Sequence, residues 1–446
     1  MPRRALVVGF GITGRAVTRA LRARGGDVVV VDDHPSSAAR AAAESCAVDL
    51  LDAPTRAQLG ALVREVDAIL PSPGVPDSHD VFDLARAAAV PVMSEFDLAR
   101  AWDDRPLLAV TGTDGKTTVT TMATAMLNAS GRRAVAVGNT EVPLVEAIDD
   151  PEVDVFVVEA SSFRLGHTQR FEPAVATWLN FAPDHLDGHR SLADYEAAKA
   201  RIWADLRPDR GVAVANRDDP VVYRHVRPDV ATVTFGVDEP GDFHVADGCL
   251  RAADGRELVT LDELPRSMPH DVSNALAASA TALEGGATLD GVRVTLRTFT
   301  GLPHRVSLVG SWHGVSWYDD SKATTPQATQ AAVRGLGRAG RVVLVAGGRN
   351  KGLDLRVLGD LGDRLRGVVA IGEAAPEVRD AFAGRADVVV ADSMTEAVDA
   401  AARLARPGDD VVLSPACASF DWYADYAERG DDFAAAVRRL KGEVTP

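Results

Sequence analysis

Thr111-Gly112-Thr113-Asp114-Gly115-Lys116-Thr117-Thr118 is the stretch that decides the fold of this chain. It follows the apolar run Leu107-Leu108-Ala109-Val110 and leads into a segment of helical period that begins near Val119. A buried strand, a glycine-rich turn and a helix, in that order, make a phosphate loop. Glycines let backbone N–H groups turn towards phosphate oxygens, and the helix N-terminus behind them favours anions. In this reading Gly112, Thr113, Asp114, Gly115 and Thr118 form the cradle, Lys116 neutralises the β- and γ-phosphates, and Thr117 ligates Mg²⁺. The loop is shorter than the GxxxxGK[ST] spacing. A strand-to-helix turn without ligand is the competing reading, which Gly-Lys-Thr-Thr in this context disfavours.

Working outward, short β-branched runs alternate with Ala/Leu/Arg-rich stretches of helical period, the pattern of parallel sheets wound by helices. Strands are expected at 5–8, 28–31, 107–110, 155–158, 175–179, 342–345, 368–371 and 411–413. At 446 residues the chain is too long for one core. Asp103-Asp104-Arg105-Pro106 and Gly301-Leu302-Pro303-His304 punctuate it, which predicts an α/β protein of three domains: a Rossmann-like domain over 1–104, a phosphate-loop domain over 105–302 and a second Rossmann-like domain over 303–446. The polar, glycine-interrupted segment 243–269 predicts a small sheet attached to the middle domain.

A net charge of −16 disfavours a large footprint on nucleic acid or anionic lipid, since both need a dominant basic face. Three cysteines, Cys46, Cys249 and Cys417, lie far apart without a CxxC pair, so neither a disulfide scaffold nor a zinc site is indicated. The first residues read as a strand entering a glycine-rich turn, not as a signal segment, and no apolar run is long enough to span a membrane. A cytoplasmic monomer is expected.

Further residues carry chemistry. Glu159 ends the run Val155-Phe156-Val157-Val158, where a carboxylate can reach a phosphate-bound Mg²⁺. The next strand ends in Asn180 and runs on to Asp184-His185-Leu186-Asp187. Beyond it, residues 195–203 read as a helix with Tyr195, Lys199, Ile202 and Trp203 on one face. A lysine on an apolar stripe either snorkels to water or serves chemistry, and periodicity alone favours snorkelling. At the N-terminus, Gly9-Phe10-Gly11-Ile12-Thr13-Gly14 with Asp32 meets the dinucleotide fingerprint. On its own that favours NAD, although the diphosphate of a UDP-sugar needs the same helix N-terminus.

Taken in order, Gly112 to Thr118, Glu159-Ala160-Ser161-Ser162-Phe163, Asp184-His185, Tyr195-Glu196-Ala197-Ala198-Lys199, Ser273-Asn274-Ala275-Leu276-Ala277-Ala278, Asp319-Asp320-Ser321-Lys322-Ala323-Thr324 and Ser414-Pro415-Ala416-Cys417-Ala418-Ser419-Phe420 resemble the motifs of the Mur ligase family over nearly the whole chain. The resemblance is to the branch that joins glutamate to UDP-N-acetylmuramoyl-L-alanine in peptidoglycan precursor synthesis. It implies an ATP-dependent ligase that works through an acyl phosphate with two Mg²⁺ ions.

By that resemblance Lys116, Glu159, His185, Lys199 and Lys322 are catalytic. Lys199 would be carbamylated and, with Thr117, Glu159 and His185, would hold metal. Asn274, Arg305 and Asp320 would join the loop in binding ATP across the central and C-terminal domains. Ile12, Thr13, Asp32, Ser72, Pro73, Gly74 and Asn139 would bind the UDP substrate, and Thr324, Lys351, Ser419 and Phe420 the glutamate. Without the family, Lys351 reads as a solvated surface lysine.

Asp114, Asp271, Thr140-Glu141 and Tyr426 depart from the commonest pattern of that branch and point to a divergent member. D-Glutamate is the expected isomer, with L-glutamate addition as the alternative within the family. An NAD-dependent oxidoreductase would leave Gly115-Lys116-Thr117 and the 319–324 motif without a task. A folylpolyglutamate synthase lacks a separate N-terminal domain, and a silent UDP-sugar binder has no use for the charged set.

Overall fold

The structure, a computed structural model, describes residues 1–140, 142–184, 188–336 and 340–440. It falls into two compact units, the first holding nearly all of residues 1–299 and the second residues 300–446 with the short segments 182–186 and 268–270.

Unit 1 carries two parallel sheets. The first comprises β1 (Arg4–Val8), β2 (Asp27–Asp32), β3 (Asp49–Asp52) and β4 (Ala68–Pro71), in the order β3-β2-β1-β4. The second comprises β5 (Leu107–Thr111), β6 (Ala134–Gly138), β7 (Val155–Glu159), β8 (Val175–Trp178), β9 (Val212–Asn216) and β10 (Ala231–Phe235), in the order β10-β9-β8-β5-β7-β6. All five residues of β5 and all five of β7 are buried, as strands covered by helices on both faces must be. Side chains nonetheless part by the two-residue period of a strand. Leu107, Ala109, Phe156 and Val158 join one apolar cluster, while Leu108, Val110, Val155 and Val157 join another.

The polar segment forms the small antiparallel sheet β11 (His244–Ala246), β12 (Cys249–Arg251) and β13 (Glu257–Thr260), as expected, and it lies within unit 1. Leu250, Leu258 and Val259 seat it on the cluster that covers one face of the second sheet.

Unit 2 is built on β14 (Ser307–Trp312), β15 (Val315–Asp319), β16 (Val342–Gly347), β17 (Leu365–Ile371), β18 (Val388–Ala391) and β19 (Asp410–Leu413), in the order β14-β15-β19-β16-β17-β18. Among these six strands the β14–β15 pair is antiparallel and the other pairs are parallel.

Every expected strand is present. Those the sequence reading passed over, such as β3, β4, β9 and β10, are either short or interrupted by small and polar residues, which blurs the period. Among the described residues no helix is long and apolar enough to cross a membrane.

Candidate active site

Strand order locates the site. In an open parallel sheet, ligands gather beyond the carboxyl ends of strands where the winding reverses. In the second sheet β5 lies between β7 and β8, so the loop after β5, Glu159 at the end of β7 and Asn180 after β8 converge. Gly115 sits at φ 83° and Lys116 opens the helix Lys116–Ala129. A side chain at Gly115 would collide with Asn274, which places Asn274 against the loop.

Asn180 clasps that loop. Its Oδ1 accepts from the backbone N–H of Thr113 (3.0 Å) and Asp114 (2.9 Å), and its Nδ2 donates to the Asp114 carbonyl (3.1 Å). Lys116 Nζ donates to the carbonyls of Gly112 (2.9 Å) and Thr113 (2.8 Å). Thr117 is half-buried on the first turn and Thr118 is buried. Asp271, near the start of the helix that carries Asn274, is paired with Arg266 at 3.3 Å.

Lys199 does not snorkel. Its helix spans Leu192–Ala200 and tightens into a 3₁₀ turn over Arg201–Trp203, so that Tyr195, Lys199, Ile202 and Trp203 are all buried on one face. Lys199 is 1% exposed; Nζ donates to the Gly112 carbonyl at 2.6 Å and sits 4.6 Å from the centre of the Tyr195 ring. Periodicity placed the residue correctly but could not show that the phosphate loop closes over it.

Glu159 is 2% exposed. Its Oε1 accepts from Asn139 Nδ2 at 3.0 Å, and among the described residues its Oε2 is buried without a hydrogen-bond partner. A lone carboxylate oxygen in that state is costly unless a cation or donor meets it, which suits a metal ligand. His185 lies outside the described residues. Among the described residues no group of three or more His, Cys, Asp or Glu could hold a metal; the expected set relies instead on a hydroxyl and a modified lysine.

The first sheet repeats the logic, with β1 between β2 and β4. Gly9 has φ 81°, and any side chain at Gly14 would strike the Gly9 carbonyl, so this turn accepts only glycine. Asp32 Oδ2 accepts from the Phe10 N–H (2.7 Å) and Oδ1 from the His34 N–H (2.9 Å); Ser72 Oγ donates to the Gly9 carbonyl at 2.7 Å. Ile12 and Gly74 are exposed at this edge, and Pro73 is half-buried.

In unit 2, the motif 319–324 begins on the last residue of β15 and residues 414–420 follow its neighbour β19, so both loops leave the same sheet edge. Arg429, 1% exposed, joins them: its guanidinium donates to Ser321 Oγ (2.9 Å), the Ser321 carbonyl (2.8 Å) and the Cys417 carbonyl (3.1 Å). Burial pulls its pKa down to about 10.

Asp320 is buried, accepting from Ser414 Oγ (2.7 Å) and the Val306 N–H (3.2 Å), and burial pushes its carboxyl up to about 7 against those bonds and the charge of Arg305. Lys322 Nζ lies 3.7 Å from the centre of the Tyr426 ring. Ser419 is buried, Thr324 half-buried and Phe420 exposed. Lys351 is not a solvated surface lysine either: its side chain is 19% exposed and Nζ stands 3.6 Å from Asp184 Oδ1.

Sequence reasoning missed Arg429 and Arg164, both buried arginines inside helices. It also missed His189, which links Ser162 Oγ (2.8 Å) to Asp77 (3.0 Å) beside a cavity of 560 Å³. Ser162 is 2% exposed, so the Ser162–His189–Asp77 series is internal rather than presented to solvent. No linear pattern marks any of the three.

Fold and site together define an α/β protein in which a glycine-rich strand-to-helix loop lies beside a buried carboxylate and a buried lysine. The Mur ligase middle domain matches residues 110–282, the Mur ligase glutamate ligase domain residues 304–417, and a TrkA-N domain residues 5–70. A UDP-N-acetylmuramoylalanine--D-glutamate ligase of Frankia casuarinae is 42% identical over 98% of this chain and 94% of its own. A pseudomurein peptide ligase type C from Methanothermus fervidus superposes with TM-score 0.63 at 18% identity, covering 98% of this chain and 100% of its own. The MurF ligase of Thermotoga maritima, solved in complex with ADP, does so with TM-score 0.62 at 20% identity, covering 98% and 95%. The chain belongs to the Mur ligase family, and it is an ATP-dependent, amide-bond-forming ligase.

Proposed function

We propose that this ligase adds D-glutamate to UDP-N-acetylmuramoyl-L-alanine through an acyl phosphate, in the cytoplasm where ATP and UDP-activated sugars are found. The observation that carries the reading is that Lys116 and Lys199 both donate to the Gly112 carbonyl, next to the strand that ends in Glu159, whose Oε2 has no hydrogen-bond partner among the described residues. The name of the Frankia relative supports the substrates.

A carboxylate is a poor electrophile, so ATP must activate it. The alanine carboxylate attacks the γ-phosphorus in line, ADP leaves, and the glutamate amine then displaces phosphate from the acyl phosphate. Lys116 stabilises charge on the transferring group, and the loop N–H groups held by Asn180 position it. Residues 1–104 hold the UDP end through Ile12, Thr13, Asp32, Ser72, Pro73 and Gly74, with Asn139 reaching the muramoyl portion. In the glutamate site Lys351, Thr324 and Ser419 donate to the carboxylates beside Phe420, and Asn274, Arg305, Asp320 and Lys322 attend the nucleotide.

Thr117, Glu159, His185 and a carbamylated Lys199 would hold Mg²⁺, which when bound neutralises phosphoryl oxygens. The residues fit that task. Glu159 offers an oxygen without a hydrogen-bond partner among the described residues, and a carbamate nitrogen keeps one N–H that can still donate to the Gly112 carbonyl. Asp32 accepts one backbone N–H on each oxygen and keeps acceptor capacity for the UDP substrate.

The test is phosphate release from ATP with UDP-N-acetylmuramoyl-L-alanine and each glutamate isomer. Turnover with the D isomer at least a hundredfold above the L isomer is expected. Preference for L assigns the alternative branch, and no release with either isomer refutes the substrate assignment.

A further inference from the structure

Arg164 lies 6% exposed in the short helix Ser162–His167, five residues beyond the end of β7. Its guanidinium is spent in three directions: Nε donates to Glu95 Oε1 at 2.9 Å, one terminal nitrogen to Asn139 Oδ1 at 2.9 Å, and the other to Thr13 Oγ1 at 2.9 Å. Glu95 is itself held, its Oε2 accepting from the Val145 N–H at 3.1 Å. The arginine therefore touches two groups read above as contacts of the UDP substrate, and Asn139 passes the connection on to Glu159.

Donor chemistry gives the arrangement its consequence. Arginine only donates. Thr13 Oγ1 must accept from it, which leaves the threonine O–H free to donate, as a diphosphate oxygen requires. Asn139 must turn its oxygen to Arg164, which commits one N–H to Glu159 Oε1 and leaves the other N–H for substrate. A planar fork anchored by a buried carboxylate makes both choices at once, and a single ammonium cannot.

We propose that Arg164 is a positioning residue for this ligase: it sets the donor direction of Thr13 and Asn139 towards the UDP substrate and, through Asn139, braces the metal-binding carboxylate Glu159. The inference rests on the substrate reading given above. Arg164 connects Thr13, Asn139 and, through Asn139, Glu159.

The test uses the full-length protein with Arg164→Lys and Glu95→Gln. Calorimetry gives the dissociation constant for UDP-N-acetylmuramoyl-L-alanine, thermal unfolding gives stability, and the MgCl₂ concentration for half-maximal rate reports the metal site. Arg164→Lys keeps a cation beside Glu95, so the melting temperature should hold within a few degrees. The UDP-substrate constant should nonetheless rise about tenfold or more, the MgCl₂ requirement severalfold, and the KM for ATP less than twofold. Glu95→Gln keeps the fork, so it should lower the melting temperature and leave the UDP-substrate constant within about twofold.

Combining Thr13→Val with Arg164→Lys should weaken substrate binding by less than the two single effects together, because they share the Thr13 bond while the Asn139 orientation is lost only in Arg164→Lys. An unchanged constant in Arg164→Lys, or equal weakening in both single variants, overturns the proposal while Thr13→Val still weakens binding. Wild-type protein that fails to bind the UDP substrate overturns the substrate reading, and the proposal with it.

Discussion

Asn180→Ala tests how much of the ATP site is made by one clasp. The side chain makes three hydrogen bonds to the phosphate loop, two accepted from the backbone of Thr113 and Asp114 and one donated to Asp114. Each is worth about 1 kcal/mol net, and the groups are part-buried, so water recovers some of the loss. A stability loss of about 1–3 kcal/mol is expected, with the fold intact. The larger effect falls on ATP. The loop N–H groups must already point at the phosphates, and a loop that relaxes has to be reordered at every turnover. If that reordering costs about 1.5–3 kcal/mol, kcat/KM for ATP falls about tenfold to a hundredfold. The assay is phosphate release with ATP varied and the other substrates saturating, beside calorimetry of the UDP substrate without ATP. A folded variant whose kcat/KM for ATP stays within twofold of wild type would refute the reasoning, as would an equal loss of UDP-substrate affinity.

Lys199→Ala should abolish ligation, with part of the rate returning on addition of short carboxylates that fill the place of the carbamate; no rescue, together with an intact-protein mass lacking carbon dioxide under native conditions, counts against the modified lysine. Lys351→Ala should raise the glutamate KM about tenfold to a hundredfold through loss of a charge-assisted bond, and move the constants for ATP and the UDP substrate much less. For Asp320, burial raises the folded-state pKa to about 7, well above its ordinary 3.8. The folded protein therefore holds that proton more tightly than the unfolded chain, and stability is lost as pH climbs through this window. Asp320→Asn should flatten the fall in melting temperature between pH 5 and 8 and leave the variant the more stable protein at pH 8; parallel slopes would show that another group governs the dependence.

Much of the fold could be read from local pattern. A strand buried on both faces needs a continuous apolar run, so 107–110, 155–158, 342–345 and 411–413 announced themselves, and glycines where the backbone must turn marked the loops after β1 and β5. Lys116, Glu159 and Asn180 were legible as strand-end residues, because the chemistry of an open parallel sheet gathers at those ends. What local pattern could not give was who meets whom. Lys199 read as a snorkelling lysine because its surroundings, the Gly112 carbonyl and the Tyr195 ring, depend on a loop more than eighty residues earlier. Lys351 read as a solvated cation because its neighbour Asp184 comes from a distant part of the chain.

The buried arginines mark the boundary most sharply. Nothing near Arg164 or Arg429 in sequence distinguishes them from surface residues of a helix, and an arginine is by composition a surface residue. Burial of such a charge is tolerable only when fixed acceptors surround it, and those acceptors, Thr13, Glu95 and Asn139 for one and Ser321 and Cys417 for the other, are brought together by folding alone. The amino-acid sequence by itself determined the α/β class, the phosphate loop and the residue types of the site, because strand burial, backbone turning and phosphate neutralisation are local demands. The tertiary structure alone decided which carboxylate oxygen is left without a partner among the described residues and which lysine is buried, because hydrogen-bond satisfaction depends on neighbours that the linear order does not contain.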